Sequence, residues 1–262
     1  ECSETLHRLS YEPSRLPRIW KRRKGRRMAP TFSFKQVPFE EIRDDVRTHL
    51  AAMTSRIDAF LETQILNSNH YRIDVDGAPA GFASIHDEGL ITQFWVAPLF
   101  RQHGQALFAR VRRLENARSA FVPTCDEFLL AHALDDYRTL AKQAFFFSAR
   151  DDAPPVDQRF QLRQATLDDP AFISERSGEF LDQVEKRIGR DELFVTLRDG
   201  EPVGFGVREV SVLYNSVASV GMFTFAEQRQ RGVGAATIGL LIADCRTRGL
   251  APIAGCWYYN HN

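Results

Sequence analysis

No apolar run in this sequence approaches the roughly 20 residues that a helix needs to cross a bilayer, so a helical membrane span is excluded. No secretory signal is discernible either, and a cytoplasmic location is the expectation. The four cysteines, Cys2, Cys125, Cys245 and Cys256, are scattered and form no Cys-x-x-Cys pair. That excludes a disulfide framework or a zinc ribbon and predicts reduced, mostly buried thiols. The seven histidines show no metal-ligand spacing, so no metal is expected. No Ser/His/Asp or Cys/His arrangement can be read from spacing. No glycine loop ends in the Lys-Ser/Thr of a phosphate-binding P-loop or carries the three-glycine dinucleotide fingerprint, which argues against a nucleotide-binding regulator.

Net charge is also absent, but unevenly so: residues 1–27 hold nine Lys/Arg against three Asp/Glu, and the rest of the chain is acidic. The cluster Lys21-Arg22-Arg23-Lys24 has two readings, an anionic-surface binder or a tail upstream of ordered sequence. Met28 follows it directly and ordered-looking sequence starts at Thr31. The tail reading is preferred, with no nucleic-acid or membrane partner. At 262 residues, 44% hydrophobic and 26% charged, the chain has room for two ordinary globular domains.

The most informative segment is Gln228-Arg229-Gln230-Arg231-Gly232-Val233-Gly234-Ala235, between a β-like run at Val220–Phe225 and a helix-like run from Ala235. Two glycines permit a tight turn with uncovered N–H groups, and the following helix N-terminus favours an anion such as phosphate. Arg101-Gln102-His103-Gly104-Gln105-Ala106 has the same setting, after Gln93–Val96 and before Leu107–Glu115. Two such loops about 130 residues apart suggest an internal duplication.

The flanking elements repeat too. Thr31–Gln36 reads as a strand and Phe39–Ile65 as a helix, with Ile42, Val46, Leu50 and Met53 on one face. Asp76-Gly77 joins two β-prone runs as a hairpin, and Leu90–Val96 is the next strand. After the loop come a helix, the apolar run Phe128–Ala131, a helix over Leu134–Gln143 and a strand over Ala144–Ser148. The polar stretch 151–157 reads as a linker. The order then restarts with Phe160–Arg163, helix over Asp168–Arg187, a second Asp-Gly hairpin at Asp199-Gly200, a strand over Ser216–Phe225, the glycine loop, a helix bearing Ile238, Leu241, Ile242 and Cys245, and a strand over Ile253–Tyr259. The expected organisation is therefore a tail over 1–28, an N-terminal domain over 29–150, a linker over 151–157 and a C-terminal domain over 158–262. By comparison with the first copy, the second is expected to be truncated at its C-terminus.

Both loops fit Arg-x-x-Gly-x-(Gly/Ala) between a strand and a helix, and the first follows Val96-Ala97-Pro98. In this they resemble the pyrophosphate-binding motif of the GCN5-related N-acetyltransferases (GNAT). The resemblance runs over most of 31–262. The second copy departs from it at Thr224-Phe225-Ala226, where the family's proline is missing. It implies an α/β (α+β) fold of two tandem GNAT-like domains, each a mixed, mostly antiparallel sheet flanked by helices.

It also implies acetyl transfer from acetyl-CoA to an amine. Backbone amides over Arg229, Gln230, Arg231, Gly232, Val233, Gly234 and Ala235 would hold the pyrophosphate. Met222, Phe223 and Thr224 would run beside the pantetheine arm on a strand that splays from its neighbour, and the N–H of Met222 or Thr224 would face a developing oxyanion. Asn260 resembles the family asparagine that contacts the arm, and equally an ordinary turn residue. In the first copy the matching positions are Val96, Arg101, His103, Gly104 and Ala106. The family's thiolate-protonating tyrosine falls there on Leu140, with Tyr137 one turn earlier, so turnover is expected in the second copy. Glu209 is the candidate general base, or else a solvated surface carboxylate. The partner implied is a small-molecule or peptide amine; oligomeric state is not legible. A second reading, favoured by Leu140 and the unassigned acid, is a non-catalytic acyl-CoA-binding or scaffold protein.

Overall fold

The computed structural model describes residues 2–11, 29–150, 155 and 157–260. These divide into two compact units, an N-terminal one built from Glu4–Phe145 and Trp257–Asn262 and a C-terminal one from Phe146–Cys256 with the first three residues.

In the N-terminal unit the strands are β1 (Cys2–Ser10), β2 (Phe32–Val37), β3 (Asn69–Val75), β4 (Ala78–His86), β5 (Leu90–Val96), β6 (Ser119–Pro123) and β7 (Thr139–Ser148), whose last residues pass into the other unit. The sheet order is β2-β3-β4-β5-β6-β1-β7. Only β5 and β6 are parallel among the pairings with recorded register. Helices α1 (Arg43–Ala51) and α2 (Ala59–Leu66) lie between β2 and β3, α3 (Gly104–Val111) follows β5, and α4 (Glu127–Ala133) follows β6.

The C-terminal unit repeats the order. Strand β8 (Phe160–Gln164) is followed by α5 (Pro170–Ser177) and α6 (Val184–Gly189), then β9 (Leu193–Arg198), β10 (Glu201–Val210), β11 (Val217–Thr224), α7 (Val233–Thr247) and β12 (Ala251–Trp257). Its strand order is β12-β11-β10-β9-β8, again with one parallel pair, β11 with β12. Thus Leu90–Val96 and Val220–Phe225 occupy equivalent strands, as the duplicated pattern requires.

Local chemistry accounts for the shared frame. Asp76-Gly77 and Asp199-Gly200 both carry positive φ at the two central residues, 51° and 80° in the first and 51° and 86° in the second. That is the primed turn whose twist matches a hairpin. Buried apolar side chains then close each unit. Phe94, Leu107 and Val111 pack with Ile73 and Val122 in one, and Phe205, Val195, Ile173 and Phe225 in the other.

Four expectations are corrected. First, residues 2–10 are strand rather than tail: Leu6 pairs with Pro123 and Ser10 with Ser119, and Leu6 and Leu9 are fully buried. Residues 12–28, with the basic cluster, lie outside the described residues. Second, the single helix over Phe39–Ile65 is two, because the Asp58 carboxylate accepts from the Leu61 N–H at 3.0 Å and starts α2 afresh. Third, Phe128–Ala131 belongs to α4, capped by Asp126 on the Leu129 N–H at 3.0 Å, whereas Leu134–Gln143 is a 3-10 turn over Leu134–Asp136 followed by the first half of β7. Leu140 and Tyr137 are therefore exposed residues on or just before a strand, not helical counterparts of a catalytic tyrosine. Fourth, the division between the units falls within β7, and Trp257–Asn262 groups with the N-terminal unit, while residues 151–154 and 156 of the expected linker lie outside the described residues. Tyr258 donates its N–H to the Gln143 carbonyl at 3.0 Å, and its ring meets Phe145 at 5.3 Å.

Candidate active site

In each unit the single parallel pair is a fork. Strands β11 and β12 pair at Val217–Ala251, Ala218–Pro252 and Ser219–Ile253, and then part. Strands β5 and β6 pair only at Leu90–Ser119 and Ile91–Ala120. The expected splay is thus built into both copies. A fork leaves backbone groups without a ladder partner, which suits an extended amide-bearing ligand.

The direction of those groups follows from register. The Ser211 N–H donates to Val217 O at 2.9 Å, and the Phe225 N–H donates to Val203 O at 3.2 Å. Odd-numbered residues of β11 therefore turn their polar groups to β10. By strand alternation the N–H groups of Met222 and Thr224 turn the other way, into the fork.

The loop after β11 leads directly to that opening. Gln230 and Gly232 take left-handed φ of 60° and 80°, and Gly232 forms the N-cap of α7 without any side-chain cap. The Ala236 N–H closes the first helical bond, to Gly232 O at 3.0 Å. The N–H groups of Val233, Gly234 and Ala235 consequently have no acceptor within the helix. Arg229, Gln230, Arg231 and Gly232 are all exposed. A Cβ on Gly232 would meet nothing within 4 Å, whereas on Gly234 it would meet the Met222 methyl at 2.8 Å. Loop, helix start and the exposed Met222 side chain thus border one opening.

The first copy has the same backbone plan and a different content. Gly81 and Gly204 occupy matching cradles, where a Cβ would strike Trp95 O at 2.1 Å and Phe223 O at 2.4 Å. Through the strand register this equates Val96 with Thr224 and Phe94 with Met222. Phe94 is fully buried, with the rings of Phe128 and His132 each 5.5 Å away. Gly104 is helical and buried, and a Cβ on it would lie 2.3 Å from His132 Nε2. The Arg101 guanidinium sits 5.3 Å from the centre of the Phe128 ring, and its Nε reaches Val96 O at 3.5 Å. His103 packs edge-on against Phe32, and Ala106 is exposed. The α4 pair Phe128 and His132, one turn apart, therefore fills the space above Gly104. Phe128 reads in the sequence only as part of an apolar run, and His132 carries no signal beyond its aromatic i, i+4 spacing from it.

Glu209 lies opposite Ser219, the last β11 residue paired to β12, so it stands where the fork begins. Its carboxylate accepts from Arg187 Nη1 at 2.6 Å. Arg187 also donates to Asp182 at 3.0 Å and lies 3.6 Å from Glu192. Burial, and then the neighbouring Glu209 charge, push the Glu192 carboxyl above its ordinary value. Nothing in the sequence distinguished Glu192 or Arg187 from surface charge. Asn260 groups with the N-terminal unit.

Comparison with known proteins places this geometry. Residues 39–150 match the family model described as an acetyltransferase (GNAT) domain. The sequence finds no match among curated proteins. Among solved structures, a GNAT-family acetyltransferase from Colwellia psychrerythraea aligns with a TM-score of 0.77 at 18% identity, over 87% of this chain and 91% of that one. A GCN5-related N-acetyltransferase from Sphaerobacter thermophilus aligns at 0.57 and 14% identity, over 88% of each chain. A tandem GNAT protein from the clavulanic acid biosynthesis pathway aligns at 0.55 and 15% identity, over 89% and 91%. At these identities the likeness is one of fold. The resemblance to the GCN5-related N-acetyltransferases therefore holds: residues 39–150 match the family's domain, and the chain as a whole shares the fold of these structures.

Proposed function

We propose that the chain is an N-acetyltransferase that moves an acetyl group from acetyl-CoA to a primary amine, with donor binding and turnover in the C-terminal unit. The supporting observation is the open fork of that unit, bordered by an uncapped helix start and an exposed Met222, where the corresponding fork of its twin is filled. The pyrophosphate would take the N–H groups around Gly232–Ala235, with Arg229 and Arg231 adding charge. The pantetheine amides would pair with β11 along Met222–Thr224. The N–H groups that face the fork there suit a thioester oxyanion.

Attack requires a neutral amine, so a base must take its proton. Glu209 stands at the start of the fork, and Arg187 holds its carboxylate. Glu192 shares that arginine, and its burial raises its carboxyl above the ordinary value. In this reading the pair receives the amine's proton. The second reading, a non-catalytic acyl-CoA binder, is favoured by the absence of any identified acid for the leaving thiolate.

Acetyl-CoA titrated into the chain, followed by release of free thiol with a panel of amines, tests both. Binding with thiol release supports transfer. Binding without release for any amine supports the binder. No binding refutes both.

A further inference from the structure

A cleft of ≈ 790 Å³ opens in the N-terminal unit at the closed end of its fork, beside the first residues of β5 and β6. It adjoins a hollow of ≈ 290 Å³, and the two share Arg8, Asp87, Glu88 and Ser119. Such volumes are in the range of small-molecule sites. The cleft contributes charge of both signs: Arg8 and Arg118 on one hand, Asp87 and Glu88 on the other, with a third carboxylate, Glu115, accepting from the Tyr71 hydroxyl. The two arginines, Asp87 and Glu88 are exposed, and among the described residues none of the four forms an ion pair. The hollow contributes an apolar floor of Phe60, Leu90 and Phe121, with Arg8 lying 5.9 Å from the Phe121 ring centre.

The walls are firmly built. Arg118 donates its N–H to Gly89 O at 2.9 Å. A Cβ on Gly89 would meet Asn116 O at 2.8 Å, so the two wall loops touch backbone to backbone. Glu88, Glu115 and Asn116 all hold left-handed φ, of 61°, 50° and 52°. Non-glycine residues in that region are uncommon.

We infer that this cleft binds a small zwitterion, an α-amino acid or short peptide with free termini and an apolar side chain. Its carboxylate meets Arg8 and Arg118, its ammonium meets Asp87 and Glu88, and its side chain lies on Phe60, Leu90 and Phe121. Unpaired charges of both signs around an apolar floor match that ligand and fit a plain anion or cation poorly. The site is separate from the C-terminal fork and stands independently of the acetyl transfer proposed above.

The test is calorimetry on the whole chain without acetyl donor, using L-leucine and the dipeptide Leu-Leu, each also in N-acetylated and C-amidated form. At least one of the free zwitterions binds, and blocking either end weakens that binding by about tenfold or more. Tighter binding of leucine identifies an amino acid as the ligand, and tighter binding of Leu-Leu a peptide; either supports the site. Arg118→Gln and Asp87→Asn, both on exposed side chains, lower affinity similarly and leave the melting temperature unchanged. Gly232→Val leaves zwitterion binding intact. Three results overturn the inference: no binding of either zwitterion at roughly millimolar concentration, equal affinity for free and blocked forms, or loss of binding with Gly232→Val but not with Arg118→Gln.

Discussion

The two forks share a backbone and differ in what stands inside them. In the N-terminal unit the strand residue facing the helix side is Phe94, buried beneath Phe128 and His132, and the loop glycine is pressed against an imidazole. In the C-terminal unit the same positions are Met222, 40% exposed, and Gly232, with free space where a side chain would begin. The loop motif is present in both sequences, so the motif alone does not make a site. What separates them is whether the ligand's place is already taken by the protein's own aromatic rings, which contribute packing energy and leave no room for an arm.

The largest expected effect comes from blocking the open fork. Gly232→Val places a β-branched residue at φ 80° on the face that a pyrophosphate would approach. It should weaken acetyl-CoA binding by about 100-fold or more. Unchanged affinity by calorimetry would remove the site from this loop. Next, Glu209→Gln should lower turnover by roughly 10²-fold with little change in donor affinity, in line with the loss of a general base. Wild-type rates in this variant would return Glu209 to a structural ion pair with Arg187.

In the filled fork the expected effect is on stability. Gly104→Val drives a side chain into His132 and should destabilise the chain by about 1–3 kcal/mol, as overpacking does, while acetyl-CoA affinity stays unchanged. A variant of wild-type stability that no longer binds the donor would exchange the roles of the two units.

The smallest effect concerns Glu192, whose raised pKa means that the folded state holds its proton more tightly than the unfolded chain. Its contribution to stability is therefore present in acid and declines as pH rises from the unfolded value of about 4.3 towards the folded one. Glu192→Gln should gain stability relative to wild type near pH 7 and lose that gain in acid. Urea midpoints compared between those conditions decide it; a larger gain in acid would mean that the Arg187 contact outweighs burial.

Much of this fold was legible because its signals are local. Both Asp-Gly turns demand positive φ, and the apolar spacing of Ile42, Val46 and Leu50 was enough to place the first helix. The loop–helix junction at Gly232 was legible for the same reason. What escaped was set by distant contacts. Strand β1 reads as the start of a basic tail, yet its partners Pro123 and Ser119 lie more than a hundred residues away. Strand β7 carries Leu140, Ala141 and Lys142, which favour helix locally, and becomes strand beside β1 in the sheet. The plug in the first fork depends on where α4 comes to rest, which the spacing of Phe128 and His132 does not specify. The pairing of Glu209 with Arg187 likewise joins residues whose contact only the folded sheet creates.

Strand β1 also bears on the order in which the chain can fold. The N-terminal unit takes its first strand from residues 2–10 and further contacts from residues at and beyond Trp257, while nearly all of the C-terminal unit is read out in between. On a ribosome the C-terminal unit's residues 146–256 are thus a nearly continuous stretch that can collapse as it emerges. The N-terminal unit must hold β1 in waiting until β6 is made. Loop closure over that distance is slow relative to local helix and hairpin formation. Until β1 finds its place, the edge of β6 stays unpaired and open to wrong partners.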